Sequence, residues 1–212
     1  MLKVWGRKTS SNVQAVMWCI GELELPHERY DVGHKYGGND TPEFLAMNPN
    51  GLVPVLRDNN GPALFEAGAI LRYLANRYAE GPFWPSALEA RTLIDMWAEW
   101  VKVSVIPAFS KPIFWPLVRL PAAERDPAAL DTAVTELTRL LKIAEDRLSQ
   151  HHWLVGDDLT LADIHLGSLL YRYYNLDFKR AELPALRRYY DRLTQRPAYQ
   201  QHVMVSFEEL RN

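Results

Sequence analysis

The sequence predicts a small α/β domain followed by an all-helical domain, and three observations lead to that prediction. Short strand-like runs alternate with helical patterns over the first part of the chain, which is typical of an α/β domain. The glycine and prolines of "EGPFWPS" then interrupt both patterns and have the composition of a linker. Only helical periodicities follow. We therefore place the α/β domain at residues 1–80, the linker at about 81–87 and a helical-bundle domain at residues 88–212.

The first domain begins with a strand and a helix. Leu2–Trp5 is a short β-like run, and the apolar residues of "VQAVMWCI" recur at helical spacing. "HERYDV" is a second strand candidate. Val53–Leu56 and Ala63–Phe65 flank the turn residues "RDNNGP", which predicts a hairpin. The apolar positions of "AGAILRYL" predict the helix that closes the domain.

Four helical patterns follow the linker. "LEARTLIDMWAEWVKVSVIPAF" predicts a long amphipathic helix. "DPAALDTAVTELTRLLKIAEDRLSQ" has Asp126 as its N-cap and Pro127 at its first helical position. "TLADIHLGSLLYRYY" begins with Thr160 and Asp163 at the spacing of a capping box, a feature that serves folding. "LPALRRYYDRLTQRPAYQ" predicts the last helix.

The composition excludes several classes of function. The 212 residues carry a net charge of −2, so there is no basic field to hold nucleic acid or an anionic membrane. A single cysteine allows no internal disulfide, which suits the reducing cytoplasm. The start of the chain lacks the apolar core of a signal peptide, and we expect no apolar run to be long enough to span a bilayer. We expect a cytoplasmic protein without nucleic-acid or membrane partners.

One stretch conflicts with its own pattern. "GLVPVLRD" has the β-forming residues of a buried strand, yet Pro54 stands in its middle. Proline has no backbone N–H to donate and is normally confined to sheet edges, bulges and strand starts. A strand that begins at this proline is the simple explanation.

Three motifs in order give the chain a family resemblance. "NPNGLVPVLRD", "LFEAGAILRYLANRY" and the helix beginning "TLADI" resemble the cytosolic glutathione transferase superfamily. "TSSNVQAVMWCIGEL" is most similar to its serine-type members, which include the plant phi class and many bacterial proteins. The resemblance covers nearly the whole chain. It implies a thioredoxin-like first domain, glutathione as co-substrate without a metal, and a homodimer.

The resemblance also implies how glutathione is held. The bond before Pro54 is expected to be cis, and the backbone of Val53 to pair with the cysteinyl part of glutathione like a rung of an antiparallel ladder. Glu66 and Ala67 stand where the family has Glu-Ser at a helix N-terminus that binds the γ-glutamyl carboxylate. Ala67 keeps the N–H and lacks the hydroxyl. Taken alone, Glu66 is an ordinary first-turn acid that complements the helix dipole.

The catalytic candidates lie in "TSSNV", between the first strand and the first helix. The glutathione thiol must become a thiolate to attack, and a hydroxyl donor with helix N-terminal N–H groups stabilises that anion. The resemblance puts Ser10 at the catalytic position, with Ser11 and Asn12 as neighbouring donors. The alternative is that one of the three only caps the helix.

The loop "HKYGGNDTPEF" is the candidate for binding the glycyl carboxylate. His34, Lys35 and Asn39 are its possible contacts, and Asn39 occupies the position of a family histidine. Leu52 stands where relatives often carry Gln or Lys. A polar loop with no binding role explains the same residues equally well.

Other reactive or aromatic residues have simpler interpretations. Cys19 lies in an apolar helix and is expected to be a buried thiol, and His151 and His152 lack further ligands at metal-like spacing. Aromatic residues of the second domain form core, and by resemblance some line the pocket for the electrophile. These aromatic residues are Trp97, Trp100, Phe109, Phe114 and Trp115.

The sequence therefore predicts a glutathione transferase that joins glutathione to a small apolar electrophile. Two alternatives remain open. One is other glutathione-dependent chemistry on the same fold, as in peroxidases, dehalogenases and isomerases. The other is a non-catalytic binding protein, which Ala67 favours.

Overall fold

A computed structural model describes residues 1–211 of the chain. The strands are β1 (Leu2–Trp5), β2 (His27–Tyr30), β3 (Val55–Asp58) and β4 (Ala63–Phe65). The helices are α1 (Ser11–Glu22), α2 (Pro42–Met47), α3 (Ala67–Tyr78), α4 (Leu88–Arg119), α5 (Pro127–Gln150), α6 (Leu161–Asn175), α7 (Pro184–Leu193) and α8 (Pro197–His202). Short 3-10 turns lie at His34–Tyr36, Gly81–Phe83, Ala122–Glu124 and Glu208–Leu210.

The chain forms two compact units, an α/β unit and a helical unit, and the predicted fold class is confirmed. The first unit comprises Met1–Glu80 together with Pro197–Val205, and the second comprises Gly81–Arg196 together with the residues from Ser206. The C-terminal segment in the first unit differs from the division expected from the sequence, which assigned everything after the linker to the helical domain.

The strands form one mixed sheet in the order β2-β1-β3-β4. β1 and β2 are parallel and are joined through α1, whereas β3 pairs antiparallel with both β1 and β4. β3 and β4 are the predicted hairpin. β3 begins at Val55, so Val53 and Pro54 lie before the strand, and the peptide bond between them is cis, as expected.

The last predicted helix is in fact two helices that belong to different units. α7 ends at Leu193, a tight turn follows, and α8 begins with Pro197, because proline cannot continue the ladder of a preceding helix. α8 packs on α1, where Tyr199 and Trp18 are both fully buried. Their rings meet edge to face with centroids 4.9 Å apart. This contact explains why Pro197–Val205 joins the first unit.

α4 is a single long helix with two wider turns. Val101–Val105 and Ser110–Phe114 are π-helical. Pro107 follows the first of these segments, Pro112 lies within the second and Pro116 follows the second. Proline clashes with the carbonyl four residues earlier, so a wider turn is a way for the helix to continue through these prolines.

α4 is also long and apolar enough to cross a membrane by length and composition alone, contrary to the sequence analysis. Its fully buried residues include Val101 and Val105, and α4 packs on α6 inside the second unit. The core of that unit therefore accounts for the buried part of the apolar surface of this helix.

α6 forms the centre of the second unit, since every residue from Leu161 to Leu170 is buried. Its N-terminus has the predicted capping box of Thr160 and Asp163. The Asp163 carboxylate accepts hydrogen bonds from the backbone N–H groups of Thr160 (2.8 Å) and Leu154 (3.0 Å) and from the Tyr189 hydroxyl (3.0 Å). One side chain therefore joins the start of α6, the preceding loop and α7.

Replacing Asp163 with Ala should lower the free energy of unfolding by about 3–5 kcal/mol, because two buried N–H groups lose their acceptor. Burial raises the pKa of this carboxyl despite the hydrogen bonds donated to it, so neutral Asp163→Asn should cost less. Urea denaturation measures the free energy of unfolding of both variants. Exposed Asp157→Ala is the control, with an expected change within about 0.5 kcal/mol. Equal stability of wild type and Asp163→Ala would contradict the role assigned to this carboxylate.

Candidate active site

Three segments of the first unit leave the sheet at the same end. Trp5 is paired with Val55, and Val55 with Phe65, so the three residues form one row across β1, β3 and β4. With neighbouring strands about 4.8 Å apart, the row spans roughly 10 Å. β1 and β4 end at this row, and β3 begins there.

The predicted site residues lie in these three segments, except for Asn39, which lies in the loop between β2 and α2. The loop after β1 leads to Ser10, Val53 lies two residues before β3, and Glu66 directly follows β4. Residues that are far apart in the sequence therefore meet at one end of the sheet.

Gly6 fixes the close packing of the loop after β1. Its φ is 153°, and a β-carbon at this position would lie 2.4 Å from Val13 Cγ2 and 3.1 Å from Val53 Cβ. A side chain cannot be accommodated at the first of these distances without moving α1. The absence of a side chain thus lets α1 and the segment before β3 approach the same point.

Ser10 is the N-cap of α1, and Ser11 and Asn12 are the first residues of the helix. The Ser10 carbonyl accepts the first helical hydrogen bond, from Gln14 N at 2.8 Å, but its hydroxyl makes no capping hydrogen bond. Capping of α1 therefore does not occupy this hydroxyl. Ser10 and Ser11 are half-buried and Asn12 is exposed.

Glu66 is the N-cap of α3 and not a first-turn acid. Its φ of 66° lies in the left-handed region, which is uncommon for a residue other than glycine and is concentrated at functional sites. The side chain is exposed and makes no capping hydrogen bond. Ala67 begins the helix with its methyl group buried. The N-terminus of α3 thus follows directly on the end of the sheet.

The residues expected to bind the glycyl carboxylate of glutathione differ in their hydrogen bonds and in their exposure. Asn39 Nδ2 donates to the Gly51 carbonyl (2.8 Å), and Asn48 Nδ2 donates to the Leu52 carbonyl (2.7 Å). These two amides hold the segment that leads to Val53. The Leu52 side chain is 63% exposed. His34 and Lys35 lie on an exposed 3-10 turn.

Arg7 is a residue of this region that sequence reasoning missed. A β-carbon at Gly33 would lie 3.5 Å from Arg7 Nη1, 3.7 Å from Val53 Cγ1 and 3.9 Å from Asn39 Oδ1. The guanidinium therefore belongs to the same neighbourhood as Val53 and Asn39. A cation placed immediately after the first strand, in "WGRKTSS", is the signal that could have identified it.

The remaining reactive and aromatic residues differ in how deeply they are buried. Cys19 is fully buried, and burial, with a smaller effect of Glu22, raises the pKa of its thiol, so it stays protonated. Phe109 and Phe114 are buried in the core of the second unit, whereas Trp97, Trp100 and Trp115 are only half-buried. Within residues 1–211, no group of three or more His, Cys, Asp or Glu side chains could hold a metal ion.

Comparison with known proteins gives matches along almost the whole chain. The family model "Glutathione S-transferase, N-terminal domain" matches residues 9–77, and "Glutathione S-transferase, C-terminal domain" matches residues 93–197. Glutathione S-transferase GstB of Escherichia coli (strain K12) is 37% identical over 206 residues, which cover 97% of this chain and 99% of that protein.

Two further relatives differ in how much of their own length this chain matches. The theta class glutathione S-transferase of Xanthomonas axonopodis pv. citri, solved with glutathione bound, is 41% identical with a TM-score of 0.90, covering 97% of this chain and 98% of that chain. Elongation factor 1-gamma 2 of Oryza sativa subsp. japonica is 32% identical over 76% of this chain, but the match covers only 38% of that protein. On these matches, the chain belongs to the cytosolic glutathione S-transferase superfamily.

Proposed function

We propose that this protein is a glutathione S-transferase that joins the sulfur of glutathione to a small apolar electrophile. The observation that carries the proposal is the meeting of three segments at one end of the sheet. They are the loop to Ser10, the segment at Val53 and the N-terminus of α3 at Glu66. The resemblance assigns to each of these segments a different part of glutathione.

The peptide is held mainly by backbone groups. Val53 lies outside the register of β1 and β3, which begins at Trp5 and Val55, so its backbone can pair with the cysteinyl residue of glutathione. The N–H groups at the start of α3 receive the γ-glutamyl carboxylate, since a helix N-terminus favours an anion. The Glu66 carboxylate accepts from the γ-glutamyl ammonium group. The Ala67 position supplies an N–H alone.

Ser10 acts on the sulfur. Its hydroxyl and the free N–H groups at the start of α1 stabilise the thiolate after the thiol proton has left to solvent. The thiolate lone pair then forms the carbon–sulfur bond, and the leaving group departs with its bonding electrons. A hydroxyl that is not used for capping favours this role over a purely structural one.

We also propose that the protein acts in the cytoplasm as a homodimer, in detoxification. Four of the most exposed large apolar side chains lie on α4, and burial of such residues against a second copy would remove them from water. They are Leu88 (63% exposed), Leu93 (52%), Met96 (53%) and Val103 (63%).

Replacing Ser10 with Ala should lower turnover with an aromatic halide by roughly tenfold or more near neutral pH, while glutathione still binds. Loss of the hydroxyl raises the pKa of the bound thiol, so the pH–rate profile should move to higher pH. Steady-state kinetics from pH 6 to 9, with calorimetric titration of glutathione, measure both effects.

Ser11→Ala and Asn12→Ala are the matched controls for this experiment, because the loop offers three donors. A normal rate and profile for Ser10→Ala, with loss of both in Asn12→Ala, would assign thiol activation to the amide. Normal behaviour of all three variants would exclude thiolate stabilisation by this loop.

Replacing Glu66 with Ala should weaken glutathione binding by roughly tenfold or more, because a charge-assisted hydrogen bond contributes about 1.5–3 kcal/mol. The free energy of unfolding should change by less than about 1 kcal/mol, since the side chain is exposed and does not cap α3. Calorimetry and urea denaturation compare the two quantities, with Glu80→Ala as an exposed control. Unchanged affinity would remove Glu66 from the site.

Sedimentation at micromolar concentration should show a dimer, and Met96→Glu should convert it to monomer. The added carboxylate would have to be buried without a partner in the proposed interface. Ile143→Glu is the control, since Ile143 is an exposed apolar residue (39%) on α5. A wild-type monomer, or a dimer that survives Met96→Glu, would exclude this interface.

A further inference from the structure

A second cavity lies on the other side of β1 from the glutathione site. It has a volume of about 320 Å³, a size common for small-molecule sites. The β1–α1 loop, α1, β2 and the α8 segment form its walls. In the sheet order β2-β1-β3-β4, β2 flanks β1 opposite to β3, so this cavity borders the β1–α1 loop but not the segments at Val53 and Glu66.

The lining of the cavity combines an apolar part with basic and amide groups. Val13, Met17 and Val205 supply the apolar part. The polar lining consists of Lys8, Gln14, His27, Arg29, Gln201 and His202, with no acidic side chain among the lining residues. Gln14 is buried, whereas Lys8 and Gln201 are exposed and therefore lie on the solvent side of the cavity. Such a lining suits a small organic anion with an apolar body.

The two histidines lie together in the cavity wall. Their rings are 6.0 Å apart between centroids and are nearly perpendicular. His27 Nδ1 is 2.9 Å from the Leu25 carbonyl, which can only accept, so Nδ1 donates this hydrogen bond. His202 packs against Gly21 of α1, where an added β-carbon would lie 3.0 Å from its Cδ2.

The charges around His202 come from three neighbouring elements. β2 contributes His27 and Arg29, and Arg29 is paired with the Asp31 carboxylate at 2.6 Å. The β1–α1 loop contributes Lys8. On α1, Glu22 is the charged residue next to Gly21, and its carboxylate accepts a hydrogen bond from Trp18 Nε1 at 2.7 Å. Arg29 thus has a carboxylate partner, whereas the described contacts give Lys8 none. Lys8 is therefore the lining cation that can attract an anion at neutral pH.

Burial, with the neighbouring His27 and Arg29, lowers the pKa of His202 to about 4. An anion bound beside the ring favours its protonated form and raises that pKa. The complex then takes up a proton at pH values between about 4 and the raised pKa. Affinity must increase as the pH falls through this range, by up to tenfold per pH unit for each proton taken up.

We propose that this cavity is a binding site for a small organic carboxylate with an apolar body, separate from the glutathione site and strengthened by acid. Lys8 attracts the carboxylate at neutral pH, and His202 adds positive charge as the pH falls. The apolar body lies against Val13, Met17 and Val205. The site does not depend on the proposed transferase activity.

Benzoate, benzamide and benzamidine test the proposal, because they share one ring and differ in charge. Each is titrated by proton NMR at pH 7.5 and pH 5.0, at low salt and with saturating glutathione, while the histidine Cε1–H signals are followed. Benzoate remains mostly ionised at both pH values, since carboxyl groups titrate near pH 4. We expect its affinity to increase about fivefold or more at pH 5.0, with weak, pH-independent binding of benzamide and none of benzamidine.

The variants separate the roles of the basic groups. Replacing the exposed Lys8 with Gln should weaken benzoate binding by about threefold to tenfold at both pH values and leave its pH dependence unchanged. Replacing His202 with Gln should reduce the pH dependence of benzoate binding. Exposed His152→Gln and Lys179→Gln are the controls and should behave as wild type. Equal binding of benzoate and benzamide at both pH values, displacement of benzoate by glutathione, or wild-type binding in Lys8→Gln and His202→Gln would each overturn the proposal.

Discussion

The candidate active site depends on one close contact, at Gly6. The backbone there passes so near Val13 and Val53 that no β-carbon fits without a shift of α1. This contact brings the start of α1 and the segment before β3 to the same end of the sheet. Ser10 and Val53 are placed by that packing and by the strand register, and not by hydrogen bonds of their own side chains.

A second constraint acts through the sheet. Because Trp5, Val55 and Phe65 form one row, the end of β4 lies two strands from the end of β1. The same register fixes Glu66, which leaves the sheet in a left-handed conformation and starts α3. In the proposed site, backbone groups therefore make most of the contacts with glutathione, and Ala67 would contribute its N–H where the family has a serine.

Much of the fold could be predicted from the sequence because its signals are local. The hairpin at "RDNNGP", the capping box at Thr160 and Asp163 and the periodicity of α1 each need only a few neighbouring residues. The return of α8 to the first unit could not be predicted, because it depends on Tyr199 meeting Trp18 across most of the chain. For the same reason, motif matching could propose Ser10, Val53 and Glu66 as site residues but gave no signal for Arg7, whose position beside Val53 arises only from packing around Gly33.

The return of α8 has a consequence for biosynthesis. Met1–Glu80 leaves the ribosome well before Pro197–Val205, the segment that packs on Trp18. Domains that are continuous in sequence can fold as soon as they emerge, N-terminal first. Here the α/β unit must wait for synthesis of the entire helical unit before its own core is complete. Until then Trp18 of α1 lacks the edge-to-face contact with Tyr199 that the finished protein has.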